Sequence, residues 1–137
     1  RRMQARATEL LDEWKMDIKT GSLAGELDAG SRQLLEIVKA LSRGVPVMIL
    51  DEPTAALSNA EKRILFQHVK ALRKAGVSFV YISHHLDEIF EVADRIAVIS
   101  RGDLSEAYPA SELTSEKIGL LMAGAHELKE TPHAARA

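Results

Sequence analysis

Apolar residues recur at intervals of three and four between Met3 and Met16, at Met3, Ala7, Leu10, Leu11 and Trp14, the spacing that places them on one face of a helix. Thr20, Gly21 and Ser22 break that period. A second helical period runs from about Ser31 to Leu41, with Leu34, Leu35, Ile37, Val38 and Leu41 apolar and Arg43-Gly44 as its stop. Past Pro46 the pattern changes: Val47-Met48-Ile49-Leu50 is a continuous apolar run, as in a parallel strand covered on both faces. Ser58 or Asn59 can cap a helix reaching about Lys74, with Leu65, Val69 and Leu72 inward and Gly76 just past its end. Val77 to Ile82 predicts a second strand, Leu86 to Val92 a short helix and Arg95 to Ile99 a third strand. The turn Arg101-Gly102-Asp103 leads to a candidate fourth strand near Leu104 to Tyr108, and a last helix runs from Ser111 to about Met122.

Strand, helix, strand, helix, strand is the order of a parallel sheet with helical crossovers, so the fold class expected is α/β. The alternation begins only at residue 45. The chain therefore divides into a helical subdomain over 1–44, part of an α/β core over 45–125, and a polar tail or linker over 126–137.

Composition narrows the function by exclusion. The 137 residues are 46% hydrophobic and 28% charged, enough to bury a core. With 18 basic and 20 acidic residues dispersed along the chain, and a net charge of −2, there is no basic footprint for nucleic acid or an anionic membrane. A nucleic-acid partner is disfavoured. The lack of cysteine excludes disulfides and thiolate metal sites and is compatible with a reducing cytosol. No apolar run reaches the roughly 20 residues that cross a bilayer, and Arg1-Arg2-Met3-Gln4 lacks the apolar segment of a signal peptide. Membrane contact is expected through a partner. The chain opens on Arg inside a helix that reads as already under way, which leads us to expect a segment of something longer.

The candidate chemistry lies where strands end. Val47 to Thr54 is an apolar run closed by Asp51 and Glu52, and in open α/β sheets ligands collect beyond the carboxyl ends of the strands. At phosphoryl-transfer sites of this kind an Asp at the strand end holds Mg²⁺ while a neighbouring acceptor positions the attacking water. An ordinary buried strand followed by an acidic turn is the alternative. The second strand runs into Ser83-His84-His85, and His84 would stand beside the carboxylates if the two strands are neighbours. An imidazole there can contact a terminal phosphate and the attacking water, or can simply be a hydrogen-bonded structural residue.

Taken in order, these segments resemble the ATP-binding cassette (ABC) ATPases over most of the chain. Leu27 to Leu41 stands where the family carries its signature loop and the helix after it. Val47 to Thr54 matches Walker B, Ala55-Ala56-Leu57-Ser58 the D-loop, and Tyr81 to His85 the switch-histidine strand. The strings DEPTAALS, YISHHLDEIFEVADRIAVI and ELT…LMAG look most like the first cassette of tandem-cassette importers for simple sugars, with the related autoinducer importers also candidates. The resemblance implies a partial P-loop NTPase-type fold that works with ATP and Mg²⁺. Residue by residue it implies that Asp51 coordinates Mg²⁺ through water, Glu52 polarises the attacking water as general base, and His84 senses the γ-phosphate. Ala55 to Ser58 would lie against a second cassette, fused or separate. His85 is expected to be a solvent-facing neighbour without a catalytic part. The implied partners are transmembrane permease subunits and, indirectly, a solute-binding protein, at the cytoplasmic face of the cell membrane.

Two departures qualify the resemblance. No Gly-Lys-Ser or Gly-Lys-Thr occurs, so the phosphate-cradling Walker A loop is absent; its expected place is upstream of Arg1. We therefore expect the C-terminal part of a cassette, unable to bind or hydrolyse ATP alone, with an open apolar sheet face that favours self-association. Secondly, the family's Leu-Ser-Gly-Gly-Gln is here Leu27-Asp28-Ala29-Gly30-Ser31. In the family that serine donates to the γ-phosphate of ATP held by the opposite subunit, whereas an ionised Asp28 only accepts and brings charge toward like charge. Asp28, Ala29, Gly30 and Ser31 are thus a degenerate nucleotide-binding set, with Asp28 as helix N-cap the favoured alternative. The expectation is two unequal ATP sites in the complete protein, of which the one served by Glu52 and His84 hydrolyses. A competing reading is a non-enzymatic regulatory or interaction module that kept the fold; the missing loop and Asp28 favour it, while Asp51, Glu52 and His84 oppose it. A cassette of DNA repair or translation would call for a basic surface or a long coiled-coil insert, and the sequence has neither.

Overall fold

In the computed structural model, residues 2–124 are described, and contacts divide the chain into two units, Arg1–His85 and Leu86–Ala137. The tail assigned to 126–137 lies outside the described residues.

In the first unit, α1 (Arg2–Glu13) buries Leu11, and Trp14 follows it at 3% exposure. The helix stops there because Lys15 takes φ +52°, outside the right-handed helical range. Trp14 lies flat on His68 of α3 (Asn59–Lys74), with ring centroids 3.7 Å apart and planes 7° from parallel. α2 (Ala29–Leu41) is amphipathic, burying Leu34, Ile37 and Val38. β1 (Val47–Asp51) and β2 (Ser78–Ile82) pair in parallel, from Val47 opposite Ser78 to Asp51 opposite Ile82, with α3 as the crossover. That crossover is bounded chemically at both ends. Ser58 and Glu61 form a reciprocal capping box, while Arg73 and Lys74 stand in the last turn, where cations are favoured. Gly76, at φ +96°, then turns the chain back, a conformation a side chain would resist.

Alternation along β1 and β2 sorts their side chains onto two faces. Met48 and Leu50 are buried, and opposite them Phe79 and Tyr81 are half-buried. Phe66 of α3 meets Tyr81 at 6.4 Å, so α3 covers this face. The other face is open among the described residues: Val47 is 58% exposed and Ile49 67%. Val80 and Ile82 continue it. One face of the apolar run is thus covered and the other is the open apolar face expected of a partial sheet.

In the second unit α4 (Leu86–Val92) is followed by four two-residue strands. β3 (Arg95–Ile96) pairs antiparallel with β6 (Tyr108–Pro109), and β4 (Ile99–Ser100) with β5 (Asp103–Leu104). The single third strand expected over 95–99 is therefore broken at Ala97-Val98. Ser105 Oγ accepts the Val98 N–H at 2.9 Å, and the Ser105 N–H donates to the Val98 carbonyl at 2.9 Å. Ser105 thus fills the gap in the ladder. α5 (Ser115–Met122) begins later than Ser111 because Ala110–Glu112 forms a 3-10 turn and Thr114 caps the helix, accepting the Lys117 N–H. Ile96, Leu113, Ile118 and Leu121 make the core of this unit, with Ile89, Phe90 and Tyr108 against them.

Partial burial holds the His68 ring below the ordinary histidine pKa of 6.5; Lys15 acts in the same direction and Glu13 opposes. A depressed pKa means that the folded chain binds fewer protons than the unfolded chain near pH 6. The stability tied to His68 is thus complete above the unfolded value and is lost as pH falls through it. Urea unfolding at pH 7.5 and 5.5 is expected to show His68→Gln losing less stability on acidification than the parent chain. Equal losses would remove His68 as the cause.

Candidate functional site

The β1–β2 ladder extends one step beyond Asp51: the Glu52 N–H donates to the Ile82 carbonyl at 2.9 Å. Glu52 then adopts φ +43°, a left-handed conformation that costs a non-glycine residue on the order of 1 kcal/mol. Buried Pro53 follows, and a position before proline is disfavoured from right-handed helix. The turn sets Asp51 and Glu52 differently. Asp51 is exposed at the strand's end, on the open face with Val47 and Ile49, whereas Glu52 is half-buried.

His84 reaches Glu52 from beyond the end of β2. Its backbone N–H donates to Glu52 Oε1 at 3.1 Å, and its Nδ1 lies 2.7 Å from the same oxygen. Glu52 Oε2 is buried and has no hydrogen-bond partner. The carboxylate therefore has one oxygen held by His84 and one buried oxygen whose capacity to accept is unused. Asp51 offers an exposed oxygen donor at the strand's end, which suits a hard cation such as Mg²⁺ whose remaining positions are filled by water. His85 is half-buried, not solvent-facing: its N–H donates to Ser83 Oγ at 3.1 Å, and its ring lies 4.0 Å from that of His84.

The start of α2 is built against the same turn. Asp28 caps it with both oxygens, Oδ1 accepting from the Ser31 N–H at 2.9 Å and Oδ2 from the Ser31 hydroxyl at 2.8 Å. These hydrogen bonds, the backbone one first, hold the Asp28 carboxyl below the usual aspartate value. Ala29 is exposed, while Gly30 is buried. A Cβ on Gly30 would stand 2.8 Å from the Ala56 carbonyl oxygen and 3.1 Å from the Glu61 carboxylate. Gln33, to which sequence reasoning gave no role, spans the turn: Nε2 donates to the Glu52 carbonyl at 3.2 Å, and Oε1 accepts the Ala56 N–H at 3.1 Å. The signal for Gln33 was weak, a polar side chain beside the apolar stripe of α2 and one turn past Gly30. The structure thus joins Glu52 to His84, and Gly30 and Gln33 to the turn 52–56.

Several known proteins resemble the chain in sequence or in fold. The chain is 42% identical over 124 residues to the ribose import ATP-binding protein RbsA of Bacillus cereus, a match covering 90% of this chain and 25% of that protein. It is 41% identical over 129 residues to the xylose import ATP-binding protein XylG of Photobacterium profundum, covering 94% and 25%. Among solved structures, a nucleotide-free ATP-binding cassette from an ABC transporter superposes with a TM-score of 0.67 at 26% identity, over 87% of this chain and 46% of that one. A dimeric cassette in a post-hydrolysis state bound to ADP and Pi gives 0.67 at 22%, over 77% and 46%, a likeness of fold. No family model matches. The chain spans about a quarter of the length of the curated relatives it matches and just under half of the solved cassettes.

Gly30→Ala forces a methyl group against the Ala56 carbonyl, which is backbone and has little freedom to yield. The expected cost is about 1–3 kcal/mol, as for overpacking elsewhere. Chemical denaturation measures it, and an unchanged midpoint would show that the 52–56 turn can move aside.

Proposed function

The chain is part of an ATP-binding cassette of the ABC ATPase family, and on that footing we propose that the intact protein is the ATP-hydrolysing subunit of an importer for a simple sugar. The observation that carries the reading is the Glu52 carboxylate, held through Oε1 by His84 and left unpaired at the buried Oε2. Glu52 serves as general base, accepting a hydrogen bond from the attacking water through the free oxygen. His84 positions that base and reaches the γ-phosphate with its remaining ring nitrogen. Donating to Glu52 through Nδ1 and to a phosphate through Nε2 requires the imidazolium form. Magnesium, when bound, would offset charge on the transferring phosphate, and Asp51 would hold it through water.

The phosphate-cradling loop is not in this sequence, so the segment by itself is not proposed to hold nucleotide. The partners proposed are a second cassette, fused or separate, packed against Ala55 to Ser58, and transmembrane permease subunits, with a solute-binding protein acting through them. No helix among the described residues is long and apolar enough to cross a membrane. The attachment proposed is through the permease, at the cytoplasmic face. ATP closed between cassettes would drive the permease's conformational change. The site facing Asp28 to Ser31 across the dimer is the weaker of two. Asp28 has both oxygens committed to Ser31 and presents no donor to a phosphate.

ATP turnover by the intact transporter tests both parts. Glu52→Gln is expected to lower turnover by about 10²–10⁴-fold, and turnover equal to the parent would overturn the assignment. Asp28→Ser is expected to leave it within about threefold, because the hydrolytic site lies elsewhere. A collapse in that variant would show that the Asp28 edge already serves an active site.

A further inference from the structure

Glu52, His84 and His85 each bring one ligand atom to within 4.8 Å of the other two. The set is one carboxylate oxygen and two imidazole nitrogens, and Asp51 is not a member. Magnesium does not favour such a set, since it takes oxygen ligands in octahedral geometry and keeps its waters, whereas imidazole suits zinc, copper and nickel.

Three features make the convergence more than proximity in sequence. Side chains of adjacent residues in a strand point to opposite faces. Here the chain has left the β2 ladder, the Ser83 hydroxyl holds the His85 N–H, and the two rings lie 4.0 Å apart at 39°. His84 already meets Glu52 at 2.7 Å through Nδ1, a hydrogen bond closer than two ligands of one ion stand, so an ion bound by this pair of atoms would replace it. The second Glu52 oxygen has no donor to satisfy it. A tetrahedral ion with bonds of about 2.0–2.2 Å needs donors roughly 3.3 Å apart. The widest pair, at most 4.8 Å, thus closes by at most about 1.5 Å, within reach of side-chain rotation at exposed His84.

We propose that Glu52, His84 and His85 form a binding site for a first-row transition-metal dication, Zn²⁺ in particular, with water at the fourth position. Two histidines, one carboxylate and a water are a donor set that zinc takes readily. An ion held there withdraws Glu52 from water and His84 from phosphate, so the filled site is inhibitory; that consequence, unlike the binding, rests on the function proposed above.

The test is calorimetric titration of the intact protein with Zn²⁺, without nucleotide and with millimolar Mg²⁺ present. The parent protein is compared with His85→Gln, His84→Gln and His68→Gln, whose folding is checked by far-ultraviolet circular dichroism. The expected result is a Zn²⁺ equivalent bound by the parent, weakened by about tenfold or more in His85→Gln and in His84→Gln. His68, outside the cluster, is expected to matter little. Isotherms of His85→Gln and His84→Gln that overlay the parent's would overturn the proposal, as would Mg²⁺ displacing Zn²⁺ at comparable concentration. Failure here leaves the turnover test of Glu52→Gln untouched, and failure there leaves this binding curve as it is.

Discussion

The hydrogen bond from the Glu52 N–H to the Ile82 carbonyl is the joint on which the site depends. It extends a parallel register by one step past the end of β1, and so fixes where the chain can turn. A slip of one residue would exchange the buried and open faces, taking Met48 and Leu50 out of the core. A single ladder bond is worth about 1 kcal/mol net, too little to hold the register alone. The specification comes from burial of Met48 and Leu50 in the same unit as Leu65 and Val69 of α3, with the capping box and Gly76 bounding the crossover. The chemistry of the rim is therefore set by packing on the face away from it.

The start of α2 shows how one short segment can answer to two demands. Asp28 and Gly30 occupy positions that the family resemblance ties to nucleotide, and Gln33 stands one turn further on, yet each has a partner within this chain. Asp28 holds Ser31, Gly30 makes room for the Ala56 carbonyl, and Gln33 bonds both ends of the turn 52–56. The glycine at position 30 is thus explained by close approach inside the fold. Because Gln33 bonds the Glu52 carbonyl, a displacement of α2 would be felt at the turn 52–56 directly.

Elements with many turns or a clear cap were legible in the sequence. The apolar stripes of α1, α2 and α3 gave those helices, and Ser58 or Asn59 marked the start of α3, with Ser58 the cap in the structure. In the second unit the sequence located strands over 95–99 and near 104–108 but not their division into four, since two residues are too few to display a period. The run Val47 to Leu50 gave the strand but not its surroundings: an apolar sequence states that a face is oily and is silent on what covers it. Convergence of Glu52 with His84 was legible because adjacent parallel strands end at one edge. The contacts of Gln33 span 19 and 23 residues, and local spacing carries no trace of them. The placement of His85 escaped for a related reason, as it follows from the Ser83 hydroxyl holding a backbone N–H after the strand has ended.

Glu52 gains its asymmetry from two sources. The left-handed turn directs the side chain back toward β2, and the two bonds from His84 fall on one oxygen. A carboxylate free to rotate would present either oxygen to a water, and half of its orientations would be unproductive. Held as it is, it offers one defined acceptor in a half-buried setting, where electrostatic interactions are less screened than in bulk water. His84 thus holds the Glu52 carboxylate within the chain itself, and the backbone N–H that supplies one of its two bonds survives any change of side chain. The orientation of the Glu52 carboxylate is therefore shared between main chain and imidazole, so that losing the ring loosens it without releasing it.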